Sequence, residues 1–151
     1  MDLKFSGQEL ITASKDRVWA FINDPQQIGA CLPDVLELHV NDAHSLDVTV
    51  KVSVGPVSGK FKFKILLEPA TSADHMGLQI SGGGFGSVVD LDAAADLKDN
   101  GDQTTTLDWR GQASMRGPVA TVGGRVLDAQ AKRVISTTFA NVKARVSAAA
   151  V

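Results

Sequence analysis

The stretch Ser45–Leu67, SLDVTVKVSVGPVSGKFKFKILL, decides how this chain is to be read. Leu46, Val48, Val50, Val52 and Val54 occupy every second position, with Ser45, Asp47, Thr49, Lys51 and Ser53 between them. A period of two puts the first set on one face of a strand and the second on a wet face. Gly55-Pro56 marks a turn, after which Val57, Gly59, Phe61, Phe63, Ile65 and Leu67 point inward and Lys60, Lys62 and Lys64 outward. The pair predicts an antiparallel hairpin with one apolar face.

Working outward, the same period predicts strands at Val35–Asn41, His75–Ser81, Ser87–Leu97 and Thr104–Met115. Turn signals separate them at Asn41-Asp42, Ser72-Ala73-Asp74, Gly82-Gly83-Gly84 and Asp99-Asn100-Gly101-Asp102. The short connections predict one antiparallel meander. Upstream, the first ten residues or so read as a strand, with Leu3, Phe5, Ile11 and Thr12 at roughly two-residue intervals. Ser14 is a good N-cap for a helix that places Val18, Phe21 and Ile22 on one face. Asn23-Asp24-Pro25 ends it, and a second short helix runs from Gln26 to Cys31. Downstream, Gly117-Pro118 opens a long helix to about Ser147, whose drifting apolar stripe suits a helix that crosses a curved sheet or bends at Gly123-Gly124. The order strand, two short helices, six strands and a long helix is an α+β, helix-grip plan. A curved sheet of about seven strands wraps the last helix and leaves a cavity between them.

Composition fits one domain over residues 1–151. The chain is 44% hydrophobic but 5% aromatic, with no tyrosine. Cys31 is the sole cysteine, so no disulfide forms within the chain, as in a reducing compartment. With 15 Lys+Arg against 17 Asp+Glu, the basic footprint of a nucleic-acid binder is missing. The start lacks a basic region followed by an apolar run, and no segment reaches the roughly 18 apolar residues of a membrane span. These features predict a cytoplasmic protein.

Catalytic and metal chemistry find little support. His39 falls on the polar face of its strand, opposite Leu36, Leu38 and Val40, while His44 and His75 sit beside turns, so all three are expected in solvent. None has zinc-ligand spacing, and no cofactor or metal is expected. Cys31, between Ala30 and Leu32, reads as a buried inert thiol. The cluster Gly82–Gly86 joins strands instead of opening a helix, which argues for a hairpin over a phosphate cradle. Phe85 at its tip is a candidate cavity lid or membrane contact. Arg125, Lys132 and Lys143 share a narrow sector of the last helix, a solvated face or a docking stripe for anionic lipid or an acidic partner. They could act with the Lys60, Lys62, Lys64 row only on the same side of the molecule.

The inward positions carry the best functional signal. Ala93 and Ala95 follow Leu91, and Gly111 and Ala113 follow Leu107 and Trp109, so two strands present small side chains where a filled core would use larger ones. Either the last helix moves in, as Gly123 and Gly124 permit, or an apolar tunnel remains. Its expected lining is Phe61, Phe63, Leu91, Ala93, Trp109, Met115, Val122 and Val126. Such a pocket suits an isoprenoid or acyl chain.

Val18-Trp19 followed by Asp24-Pro25, Cys31-Leu32-Pro33, Val54-Gly55-Pro56-Val57-Ser58-Gly59-Lys60-Phe61, the glycines of Gly82–Gly86 and Val122-Gly123-Gly124-Arg125 together resemble the CoxG family of carbon monoxide dehydrogenase subunits. That family lies in the START-like helix-grip superfamily, and the resemblance covers nearly the whole chain. It implies a non-enzymatic accessory protein of molybdenum hydroxylases of the carbon monoxide dehydrogenase type. The implied roles are recruitment of the hydroxylase subunits to the inner face of the membrane by peripheral contact, and binding of a hydrophobic small molecule, a lipid or quinone. It gives Cys31 a structural role, closing the second short helix over the sheet. Two departures stand out. Asp34 occupies a position where the family usually has glycine, and Ala148-Ala149-Ala150-Val151 replaces the linker and hydrophobic tail of many relatives, so permanent anchorage is not expected. Two other readings remain: a ligand-independent recruitment factor acting through its basic faces, and a polyketide-cyclase-like enzyme. The missing tyrosine and apolar inward faces speak against the second.

Overall fold

Ser14 accepts a hydrogen bond from the Arg17 backbone N–H, and Asp24 accepts one from Gln26. These caps start two short helices, α1 (Lys15–Ile22) and α2 (Pro25–Cys31), directly after strand β1 (Asp2–Ile11). Six strands follow: β2 (Val35–Asp42), β3 (Ser45–Val54), β4 (Val57–Leu67), β5 (His75–Gly84), β6 (Ser87–Asp99) and β7 (Thr105–Arg116). A 3-10 turn, Pro118–Val122, leads into the last helix, α3 (Gly124–Ala148). This computed structural model describes residues 1–68, 72 and 74–148. Ala73 of the expected turn and Ala149, Ala150 and Val151 of the C-terminal stretch lie outside the described residues.

The seven strands form one antiparallel sheet in the order β1-β7-β6-β5-β4-β3-β2. Strands β2 to β7 are the expected meander, and β1 adds itself beside β7. The three helices cover the inward face, as the helix-grip plan requires. One core cluster joins Val18, Phe21, Ile22 and Cys31 to Leu46, Ile65, Leu97 and Leu107, and to Val142 and Val146 of α3. A second, at the other end, joins Val54, Val57 and Phe61 to Val119 and Leu127.

Three local expectations need correction, and a fourth position, Asp34, shows how its departure from glycine is accommodated. The last helix does not run from Pro118: Gly123 has φ +104 and ψ 147, and α3 starts after it, with Leu127 N–H donating to the Gly123 carbonyl. The break frees the 3-10 turn to drop Val119 into the second cluster, where its N–H reaches buried Ser87 Oγ at 2.9 Å. Gly82, Gly83 and Gly84 are strand, not turn. A Cβ on Gly82 would lie 2.0 Å from the Lys62 carbonyl and one on Gly83 1.9 Å from that of Ser87, so those backbones come too close for any side chain. The turn is Phe85-Gly86, both at positive φ, the two-residue geometry that matches strand twist. A register shift between Val35 and Glu37 turns Leu36 outward, 50% exposed, away from Leu38 and Val40. Asp34, finally, takes φ +60, the conformation a glycine would hold, and its carboxylate meets Arg133 of α3 at 2.9 Å.

Candidate functional site

Between the two core clusters the inward face is not sealed. Leu78, Ala93, Gly111 and Phe5 form one cross-strand row, and Ile80, Leu91, Ala113 and Leu3 the next. All but Ala113 are only half-buried. Side chains beneath a helix on the core face of a sheet are normally closed off, so this band is an apolar surface that α3 spans without filling. Phe63, Trp109 and Met115 belong to it, half-buried and inward.

The band opens at the seam between β1 and α3. A cavity of about 600 Å3 lies there, bordered by Phe5, Trp109, Ile135 and Phe139, with Ser6 and Ser136 adding hydroxyls. Gly7 makes room for Trp109: a Cβ there would stand 2.8 Å from the indole ring. Trp109 in turn leans on Phe139, ring centroids 5.4 Å apart. Glu9 and Lys143 also border the cavity, and Lys143 Nζ bridges to Glu9 Oε1 at 2.9 Å, from α3 to β1. The Trp109 indole N–H reaches Glu9 Oε2 at 3.5 Å.

The residues expected around a tunnel therefore divide. Trp109 borders this cavity, and Leu91, Ala93, Phe63 and Met115 lie along the open band. Phe61 is 2% exposed inside the second core cluster, with Val122 packed against that cluster, and Val126 is 44% exposed on α3. A further hollow of about 580 Å3 is bordered by the four residues of the first row, Phe5, Leu78, Ala93 and Gly111, and by residues at outward positions, among them Lys4, Asp92, Arg110 and Gln112.

The cations separate as well. Lys132 pairs with Asp128 one turn away at 2.9 Å, and both, like Lys143, border the cavity. Arg125, exposed near the start of α3, has no ion-pair partner among the described residues. The Lys60, Lys62, Lys64 row stands on the outward face of β4, opposite the face that carries α3, so row and helix sector cannot meet one flat surface together. Lys51 lies directly across from Lys60, and no carboxylate bridges any of the four among the described residues. Phe85 is 61% exposed, its ring folded over Gly59 and 6.4 Å from that of Phe61.

Cys31 is fully buried. Burial pushes its thiol up against the opposing pull of Arg145, and Asn141 of α3 donates to its carbonyl at 2.9 Å. His39 and His44 are exposed. His75, in contrast, is half-buried, its Nδ1 2.7 Å from Asp96, which also takes Arg110 at 3.0 Å. These contacts, the His75 bond foremost, hold the Asp96 carboxyl below its ordinary range. Among the described residues no group of three or more His, Cys, Asp or Glu could hold a metal ion. Glu9 had escaped the sequence reading, although it shares the odd-numbered inward positions of Leu3, Phe5 and Ile11.

The family model for CoxG of carbon monoxide dehydrogenase matches residues 7–147. No curated protein matches. Among solved structures, a conserved protein from Geobacillus kaustophilus is 23% identical, covering 96% of this chain and 95% of its own, with a TM-score of 0.86. A START superfamily protein from Mycobacterium smegmatis is 14% identical over 95% of this chain and 97% of its own, with a TM-score of 0.71. An aromatase/cyclase from Streptomyces sp. R1128 is 13% identical, covering 97% and 94%, with a TM-score of 0.69. At these identities the likeness is one of fold.

Proposed function

The chain belongs to the CoxG family of carbon monoxide dehydrogenase subunits, and on that premise we propose that it is a non-enzymatic accessory protein of a molybdenum hydroxylase that binds a hydrophobic, lipid-like ligand, an isoprenoid quinone, beneath α3. The observation that carries the reading is the half-buried apolar band from Leu78 to Phe5, open at the β1–α3 seam. A hydrocarbon laid along it leaves water without costing any hydrogen bond. Burying about 400 Å2 at ~25 cal/mol per Å2 contributes about 10 kcal/mol, and a preformed site loses about 4 kcal/mol of it to association, leaving tens of micromolar affinity. The polar groups at the seam, Glu9 and Lys143, are engaged with each other, which favours holding a ligand over transforming it. The hydroxylase subunits are the partners this reading requires, in the cytoplasm or at the inner face of the membrane.

Native mass spectrometry and solvent extraction of the purified protein test it, together with a thermal shift on adding a quinone. A co-purifying lipid or a dose-dependent rise in melting temperature is expected; absence of both refutes it. A second reading, ligand-independent docking, draws on the unbridged lysines 51, 60, 62 and 64. It predicts that reversing Lys60, Lys62 and Lys64 abolishes capture of the hydroxylase while Phe5→Trp, which narrows the seam, leaves capture intact.

A further inference from the structure

Away from the strand ends, the inward positions of β1 and of β3 to β7 carry aliphatic side chains, aromatic rings, methionine or glycine, with one charged exception, Glu9. A carboxylate on a face that is otherwise apolar incurs a desolvation cost and calls for an account. Two donors hold it, Lys143 Nζ at 2.9 Å and, at the long limit of a hydrogen bond, the Trp109 indole N–H at 3.5 Å. An ionised carboxylate offers about four acceptor positions, so Glu9 keeps capacity to spare at the border of the cavity. Nearby Phe5, Ile135 and Phe139 supply the apolar wall.

We infer that Glu9 is the specificity-determining residue of this site, accepting a hydrogen bond from a hydroxyl at the polar end of a hydrophobic ligand. The inference rests on the ligand-binding reading above and narrows its ligand class to hydroxyl-bearing hydrocarbons, such as phenols and long-chain alcohols. A ligand with only carbonyl or ether oxygen there would set acceptor against acceptor. For a quinone, the reduced dihydroxy form is held more tightly than the oxidised dicarbonyl form. Lys143 orients Glu9 and fixes α3 over the seam.

The test compares 4-dodecylphenol with its methyl ether, which keeps the tail and removes only the donor. Binding is read from tryptophan fluorescence in a Trp19→Phe background, leaving Trp109 as the sole tryptophan. The buried Trp19 Nε1 has no hydrogen-bond partner among the described residues, so phenylalanine removes a polar atom without breaking a bond they make. The phenol is expected to bind about tenfold tighter, the scale of one hydrogen bond to a charged acceptor. Glu9→Leu should level the two probes. Equal affinities in the parent, or a preference that survives Glu9→Leu, would each overturn the inference. If Glu9→Leu does not fold, Glu9→Gln replaces it, with the preference expected to shrink to a few-fold and an unchanged preference counting against the role. Failure of both probes to bind the parent would instead defeat the ligand-binding reading itself.

Discussion

Truncating Phe61 to alanine separates a ligand-lining role from a packing role for the end of the sheet near the 3-10 turn. Phe61 is 2% exposed, and its ring meets Phe63 at 6.1 Å and Phe85 at 6.4 Å between centroids. Removing a buried phenyl loses about 1.5–3 kcal/mol of transfer free energy. Each tilted ring pair adds about 0.5–1.5 kcal/mol, and incomplete collapse around the void adds more. The expected loss is about 3–5 kcal/mol, the upper range for such truncations. Urea unfolding followed by circular dichroism measures it. With a slope of about 2 kcal/mol per molar, the midpoint should fall by about 2 M. In a domain of this size the melting temperature should drop by about 6–20 °C. Probe affinity at the β1–α3 seam should change less than about twofold, because Phe61 packs with Val119 and Leu127 and does not border that cavity. A stability loss below about 1 kcal/mol together with a large loss of affinity would refute the assignment of this end to the core.

Acid unfolding should depend on Asp96, whose carboxyl is held low in the native state by His75 and Arg110. Its contribution is complete above the unfolded carboxylate pKa of about 3.9 and lost as pH falls through the lower native value, so Asp96→Asn should flatten the acid limb of a stability profile between about pH 5 and 2. Cys31 should resist a thiol reagent at pH 8 in the native protein and react only at the rate of unfolding, since burial raises its thiol; labelling within seconds would contradict the packing of α2. Gly117→Ala should destabilise by more than about 2 kcal/mol, because its φ is +86 and a Cβ would lie 2.4 Å from the Gly86 carbonyl. Gly124→Ala, with open space around it and a helical backbone, should instead stabilise by about 0.5 kcal/mol; thermal melts of the two variants read both signs.

Where a signal is local, the sequence carried it to the residue. The inward sets of β3 and β4 and the Ser14 cap stand as read, because period and capping need only neighbours along the chain, whereas Ser45 and Thr49, expected on the wet face of β3, are buried. What was illegible depends on partners far away. Gly82–Gly84 looked like a turn because the reason for glycine there, the carbonyls of Lys62 and Ser87, belongs to other parts of the chain. His75 and Asp96 stand 21 residues apart and become neighbours only through the β5–β6 register. Phe61 is sealed by Val119 and Leu127, which the unforeseen break at Gly123 delivers. Lys143 fell with Arg125 and Lys132 by helical angle, yet α3 crosses the sheet so that Lys143 reaches Glu9. The parity of Glu9 in β1 was present in the sequence, an acidic residue among the inward positions Leu3, Phe5 and Ile11, but it went unread.

The placement of Lys60, Lys62 and Lys64 behind the sheet, with α3 and its seam in front, makes the molecule bivalent in geometry. One flat body can engage the lysines while the ligand opening stays clear of it. In the proposed ligand-binding role, a protein held by these lysines would load and unload at the seam without letting go of its partner.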